Sequence, residues 1–183
     1  MNTEGKGRLL TELARAAIAR QFGIDAPTLP HPAWLEEPGA VFVTLTLDGQ
    51  LRGCIGSLEA HRSLGRDLEA NAQAAAFHDP RFTPIERDEL DRVHIEVSIL
   101  SAPEAMHFTS EEDALGQLRP GTDGVVLQSG WHRATFLPQV WEQLPDPRQF
   151  IAQLKRKAGL PADFWSDSVQ ISRYTVAKYE DTP

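Results

Sequence analysis

One hexapeptide, LRGCIG at residues 51–56, carries the residue types that point most directly to chemistry. It holds the only cysteine of the sequence, Cys54, between Gly53 and Gly56, with Arg52 two positions before it. A nearby cation favours the thiolate form of a cysteine, and glycines let a backbone approach a ligand or present N–H donors to an oxyanion. The hexapeptide is therefore a candidate site for a nucleophilic thiol.

The same residue types have a structural interpretation. Free cysteine is among the most buried residue types, and glycines in strands often mark a bulge. In that interpretation Cys54 is part of the core, and the protein is a non-catalytic binding or regulatory module. A reachable thiol favours an enzyme, whereas a thiol that reacts only after unfolding favours the module.

Two candidate side chains follow in the segment HDPRF at 78–82. His78 is a candidate base for the thiol, and Arg81 is a candidate clamp for an anionic ligand. The alternative is that Asp79 caps a turn and Arg81 pairs with an acid.

Two further candidates lie later in the chain. Glu96 is on the polar side of an alternating strand pattern, together with His94 and Ser98, and could carry acid–base chemistry in a cleft. A solvated sheet face explains this pattern as well. Gln139, after a proline, could bind a ligand or satisfy a turn.

Spacing argues against metal and nucleotide sites. The six histidines are scattered, and the sequence has no Cys-x-x-Cys, His-x-His or His-Glu-x-x-His pattern. It also lacks the glycine-rich phosphate-binding and dinucleotide-binding patterns. We expect no metal and no cofactor.

Charge and apolar runs restrict the partners and the compartment. The formal net charge of −8 argues against nucleic acid as the primary partner, and the basic run 155–157 is interpreted as complementing a helix C-terminus. A single cysteine fits a reducing compartment. No apolar run approaches the ~18 residues that span a bilayer, and the N-terminus lacks a signal-peptide core. We expect a cytoplasmic protein without membrane contact.

Hydrophobic periodicity predicts alternating helices and strands. In the first half these are a helix ending near Gly23, strands at 41–47 and 50–55 joined by an Asp48-Gly49 turn, an Ala-rich helix ending before Pro80, a short helix after a capping box at 83–86, and a strand at 93–100. In the second half they are a helix capped by Thr109 with Glu112, strands at 124–128 and 133–137, a helix from Asp146, and a last strand at 169–176.

Short turns and hairpins favour an α/β (α+β) protein with a mixed, largely antiparallel sheet and flanking helices. We expect a single domain over residues 1–183, or two subdomains that share a core.

The hairpin predicts where the reactive groups point. If Asp48-Gly49 is a two-residue loop, Leu45 pairs with Arg52 and Val43 pairs with Cys54. Arg52 and Cys54 then share one face of the strand about 7 Å apart, near enough for the cation to favour the thiolate.

Four blocks carry a resemblance to a known family. LRGCIG at 51–56 resembles the signature of the AMMECR-type domain family, and HDPRF at 78–82 resembles its second block. IEVSIL at 95–100 and FLPQVW at 136–141 resemble the third and fourth blocks, in the family's order.

The resemblance implies an α/β fold with a larger and a smaller subdomain, with a cleft between them near the cysteine segment. It implies no defined reaction. Prokaryotic members are named as protein A of the three-part AmmeMemoRadiSam system, beside a Memo-like protein and a radical-SAM protein. We therefore expect a component of a modification pathway with those two partners, in which the Cys54 region takes a small anionic substrate.

Overall fold

The computed structural model describes residues 3–181 and divides into two compact units. Unit 1 contains the described residues up to Leu100 and those from Ala177 onward, and unit 2 is Ser101–Val176. Each unit has a hydrophobic core of its own. The chain therefore leaves unit 1, builds unit 2 as one continuous segment, and returns to unit 1.

The helices are α1 (Thr3–Gln21), α2 (Leu64–Phe77), α3 (Glu111–Gln117) and α4 (Pro147–Lys157). The strands are β1 (Pro38–Leu47), β2 (Gln50–Gly56), β3 (Arg62–Ser63), β4 (His94–Leu100), β5 (Glu104–Ala105), β6 (Gly124–Ser129), β7 (His132–Phe136), β8 (Gln170–Tyr174) and β9 (Val176–Glu180). Short 3₁₀ helices occur at Ala33–Leu35, Arg87–Glu89 and Pro138–Glu142. Within residues 3–181, no helix has the length and apolar character needed to cross a bilayer.

The sheet of unit 1 has the strand order β2-β1-β4-β9, with β3 paired to β1. Strand side chains alternate between faces, so Val43, Leu45 and Val97 point into one core with α1 and α2, where they are fully buried. The intervening residues of the same strands form the opposite face. This second face positions the candidate site.

Unit 2 is a sheet of order β5-β8-β6-β7 packed with α3 and α4. Its core centres on Phe150, whose ring stacks on Trp141 with the centroids 3.7 Å apart. The Trp141 indole N–H donates to the Asp123 carbonyl at 2.7 Å, so the buried polar atom is satisfied.

Several sequence predictions are confirmed. The mixed α+β class with antiparallel pairing is observed. The first helix ends at Gln21, and Gly23 adopts a φ of 68°, as a helix-terminating glycine does. Asp48 and Gly49 have φ values of 51° and 77°, which are those of a type I′ hairpin turn.

Three local predictions are wrong. No helix starts at Pro84; the short helix that follows is the 3₁₀ helix Arg87–Glu89, and its capping box joins Glu86 and Glu89 rather than Thr83 and Glu86. The N-cap of α3 is Ser110 rather than Thr109, because the Ser110 hydroxyl accepts from the Asp113 amide. The last predicted strand, 169–176, ends at Tyr174 as β8, and the next strand, β9, which belongs to the other sheet, was not predicted.

Candidate functional site

A one-residue bulge sets the direction of Cys54. Leu45 pairs with Gly53 and the next residue of β1, Thr46, pairs with Leu51, so Arg52 is the extra residue on β2. The predicted pairs of Leu45 with Arg52 and of Val43 with Cys54 are therefore wrong. The bulge shifts the register by one, and Cys54 pairs with Thr44 instead.

Cys54 points away from the helices as a result. The half-buried Cys54 thiol lies 3.3 Å from the Thr44 hydroxyl, within hydrogen-bond distance. The preceding residue, Gly53, faces α2. The prediction that Cys54 shares a face with Val43 and Leu45 is wrong, and so is its placement in the core.

Asp79 and Arg81 hold the backbone of Cys54. β2 is an edge strand, so the outward amide and carbonyl of Cys54 lack a strand partner. The Cys54 amide donates to Asp79 Oδ2 at 2.9 Å, and Arg81 Nη2 donates to the Cys54 carbonyl at 3.3 Å. These two side chains replace a neighbouring strand at this position.

Asp79 and Arg81 also bind each other closely. The Arg81 guanidinium donates to both Asp79 oxygens, from Nε at 3.0 Å and from Nη2 at 2.7 Å, and its amide donates to Oδ1. Hydrogen bonds from Arg81 hold the pKa of Asp79 well below its ordinary value, and the bond to the Cys54 amide acts in the same direction. The Asp79 side chain is 2% exposed and the Arg81 side chain 56% exposed, so a buried anion fixes a cation that solvent can reach.

The Arg52 side chain binds a different carboxylate, that of Glu89. It donates from Nε and Nη2 to the two oxygens of Glu89 at 2.9 and 3.0 Å, and from Nη1 to the Thr83 carbonyl at 2.7 Å. Hydrogen bonding to Glu89 raises the pKa of Arg52, and hydrogen bonds from Arg52 lower the pKa of Glu89. The guanidinium ties β2 to the 83–89 segment, and the cation beside Cys54 is Arg81.

Polar side chains cross the sheet in one row, which we call the polar row: Cys54, Thr44, Glu96 and Lys178. Thr44 pairs with Cys54 on one side and with Glu96 on the other, so the three share a face. Lys178 Nζ on β9 lies 3.6 Å from Glu96 Oε1, and the Ser98 hydroxyl donates to the same oxygen at 3.3 Å. The sheet thus brings Glu96 onto the face of Cys54, with one threonine between them.

Close packing explains why both positions of the hexapeptide are glycine. A Cβ atom at Gly53 would lie 2.1 Å from the carbonyl oxygen of Ala75 in α2, and one at Gly56 would lie 2.1 Å from Cγ of Phe42. Each glycine therefore admits a neighbouring group of the protein. Their predicted contact with a ligand stays a prediction.

Of the remaining predicted site residues, one forms no hydrogen bond with the thiol among residues 3–181 and the other belongs to unit 2. His78 is exposed at the end of α2, where its amide donates to the Ala74 carbonyl, and no hydrogen bond links its imidazole to Cys54. Gln139 is exposed in the 3₁₀ helix Pro138–Glu142 of unit 2, whereas Cys54 belongs to unit 1.

Sequence reasoning missed three contributors. It treated Asp79 as a turn residue, which the bond from the Arg81 amide confirms, but not as a ligand of the Cys54 backbone. Thr44 was missed because the bulge changed the register, for which Gly53 was the available signal. Lys178 was missed because the last predicted strand ends at Val176, before this residue. Among residues 3–181, no cluster of three or more His, Cys, Asp or Glu side chains could hold a metal ion.

Comparisons with known proteins identify the family. The sequence profile of the AMMECR1 family matches residues 11–179. A protein of Saccharolobus islandicus is 38% identical over 185 residues, which cover 96% of this chain and 82% of the relative. A protein of Methanothermobacter thermautotrophicus is 38% identical over 174 residues, with 92% and 91% covered.

A solved structure shares the fold. The crystal structure of the uncharacterised protein PH0010 from Pyrococcus horikoshii has a TM-score of 0.77 and 32% sequence identity, and the match covers 98% of this chain and 93% of that one. The profile match spans both units and includes the hexapeptide, Asp79, Arg81 and the polar row. This chain belongs to the AMMECR1 family.

Proposed function

We propose that Cys54 is a reactive thiol that binds and processes a small anionic substrate, with Arg81 supplying the positive charge that attracts it. One observation carries this proposal: buried Asp79 fixes the exposed Arg81 guanidinium against the backbone of Cys54. In the described residues no protein group accepts from Arg81 Nη1, so that nitrogen is available to a ligand oxygen.

The polar row supplies the other groups that a nucleophilic thiol needs. The Thr44 hydroxyl is within hydrogen-bond distance of Sγ and orients it. Glu96, on the same face, is the proposed proton acceptor, and Lys178 lies beside its carboxylate. His78 remains a second candidate base, supported only by its position one residue before Asp79.

The experiment compares a charged with a neutral alkylating reagent. Iodoacetate and iodoacetamide react with the same thiol, and each adduct reports on Cys54 because the sequence has one cysteine. For the native protein we expect the ratio of the iodoacetate rate to the iodoacetamide rate to exceed that of the urea-unfolded chain about threefold to tenfold, since a cation near Sγ attracts the anion. Intact-mass measurement gives both rates.

Variants identify the cation. Arg81→Gln should lower the ratio to that of the unfolded chain, Arg81→Lys should retain most of it, and Arg156→Gln, which removes an exposed charge in unit 2, should leave it unchanged. Labelling that occurs only after unfolding, or a ratio that Arg81→Gln does not change, contradicts the proposal.

A second candidate function is a non-catalytic binding or regulatory module in which the hexapeptide is structural. The engagement of Arg52 with Glu89 and the packing at Gly53 and Gly56 favour it. It predicts that Cys54→Ser leaves partner binding intact and that the native thiol reacts no faster at neutral pH than a free cysteine.

Family membership supports a place in a modification pathway with a Memo-like and a radical-SAM protein, and we propose these as partners. Co-expression of the three proteins from one organism, with affinity capture of this chain, tests the association. Capture of neither partner by the wild-type chain contradicts it.

A further inference from the structure

We propose that β9 pairs with β9 of a second copy of this chain across a two-fold axis at Tyr179, which makes one continuous sheet from the two sheets of unit 1. The pairing is supported by the free edge of β9, by the order of its charges, and by the groove beside it.

The free edge has its backbone groups directed outward at two residues. β9 ends the strand order of its sheet and has β4 as its neighbour. The Asp181 amide donates to the Ile95 carbonyl of β4 at 3.0 Å. Backbone hydrogen-bonding direction alternates along a strand, so the amides and carbonyls of Lys178 and Glu180 point away from β4. These groups are available to another strand.

In a symmetric pair of strands, the charges at these two positions attract each other. In an antiparallel pair with its two-fold axis at Tyr179, Lys178 lies opposite Glu180 of the second copy, and Glu180 lies opposite its Lys178. The outward backbone groups then exchange hydrogen bonds within these same pairs. Moving the axis to Lys178 would place two lysines opposite each other, which is unfavourable. The sequence of β9 therefore selects one register.

Both side chains are more than half exposed at the edge, where each also faces a partner on β4: Lys178 Nζ lies 3.6 Å from Glu96 and the Glu180 carboxylate lies 3.8 Å from His94. Lys178 is 56% exposed and Glu180 is 62% exposed, on the face of the sheet that bears Glu96. Tyr179 points to the other face, where it packs against α1 at Gly7, so pairing leaves the core undisturbed.

A groove of about 1270 Å³ adjoins this edge and is lined by charged side chains of both signs. Its walls are the first half of α1, residues 91–94 and the end of β9. The charged α1 residues that line it alternate in sign along the helix: Glu4, Arg8, Glu12 and Arg15. A two-fold axis perpendicular to the sheet runs the two α1 helices antiparallel. The charged groove therefore lies beside the edge at which the second copy pairs.

The test uses two charge reversals and their mixture in sedimentation velocity. Wild-type protein should show a sedimentation coefficient that rises from monomer to dimer with concentration. Lys178→Glu alone and Glu180→Lys alone should each weaken self-association about tenfold or more, because both symmetric pairs become repulsive. An equimolar mixture of the two variants should form dimers again. In the mixed dimer the new carboxylate at position 178 faces the new ammonium at position 180, and the two unchanged residues face each other as in the wild type.

The mixture separates loss of pairing from loss of folding, because an unfolded variant could not be rescued by its counterpart. Asp167→Lys, an exposed charge reversal in unit 2, is the matched control and should dimerise as wild type does. Wild-type protein that stays monomeric at the highest soluble concentration overturns the proposal. A mixture that behaves as the sum of its two variants also overturns it, as does a dimer that neither variant weakens.

Discussion

Asp79 illustrates how much of the site depends on one carboxylate. It accepts the Cys54 amide, the Arg81 amide and the Arg81 guanidinium while its side chain is almost fully buried. A buried charge is tolerated only when it is paired and hydrogen-bonded, and here the bonds that satisfy Asp79 also fix Arg81 beside the thiol. The same hydrogen bonds therefore position Arg81 and stabilise the edge strand.

We predict that Asp79→Asn loosens the edge strand at Cys54. The amide keeps an acceptor for one N–H but loses the charge-assisted bonds from Arg81, so unfolding in urea should show a loss of about 1–3 kcal/mol. Hydrogen exchange at the Cys54 amide should accelerate by a larger factor than exchange at amides of β4. Asp88→Asn, at an exposed position, is the control and should change neither. An unchanged Cys54 exchange rate would contradict the role of Asp79.

At the scale of elements, the contact between β2 and α2 requires the absence of a side chain at Gly53. The Ala75 carbonyl occupies the space where a Cβ atom would lie, at 2.1 Å. Both groups are backbone or directly attached to it, so neither can turn away. The close approach of helix and strand therefore depends on this glycine.

We predict that Gly53→Ala destabilises the protein by about 2 kcal/mol or more, because it must separate β2 from α2 or strain both. Gly116→Ala in α3 is a matched control: its Cβ atom meets nothing within 4 Å, and alanine in a helix is favoured over glycine by about 0.5–1 kcal/mol. The thermal unfolding temperature should therefore fall for Gly53→Ala and rise for Gly116→Ala. A neutral Gly53→Ala would show that the contact is easily relaxed.

The same element shows what sequence can and cannot reveal. The Asp48-Gly49 turn and the strands beside it were predictable because turn chemistry and alternation are local. Gly53 was a signal for a bulge, but the sequence did not decide whether one forms at Arg52, since one extra residue changes which side chains share a face without changing the local pattern. The Asp79–Cys54 and Arg52–Glu89 contacts were also beyond prediction, because they join segments that only the tertiary fold brings together.

For the whole molecule, several carboxylates with lowered pKa values link stability to pH. Hydrogen bonds from Arg52 lower the pKa of Glu89, those from Arg81 lower that of Asp79, and the Thr109 amide lowers that of Asp113. A group whose pKa is lower in the folded state stabilises the fold above its unfolded pKa, and that contribution is lost as pH falls through the folded value.

We predict that the stability difference between wild type and Glu89→Gln is largest above about pH 4.3, the ordinary pKa of a glutamate. It should shrink as pH falls from that value through the lower pKa of folded Glu89, below which the wild-type side chain is protonated in both states and resembles glutamine. Urea unfolding at a series of pH values measures the difference. Glu142→Gln, at an exposed position of unit 2, is the control and should give a difference that does not vary with pH. A constant difference for Glu89→Gln would exclude its linkage to folding.

The return of the chain from unit 2 to unit 1 has a consequence for biosynthesis. β9 neighbours β4 in the sheet of unit 1, yet the ribosome makes it after all of unit 2. Until β9 emerges, β4 is a sheet edge with unpaired backbone groups and apolar neighbours, which is a template for wrong pairing. Nascent chains stalled before residue 176 should therefore engage chaperones, and release of the last strand should end that engagement.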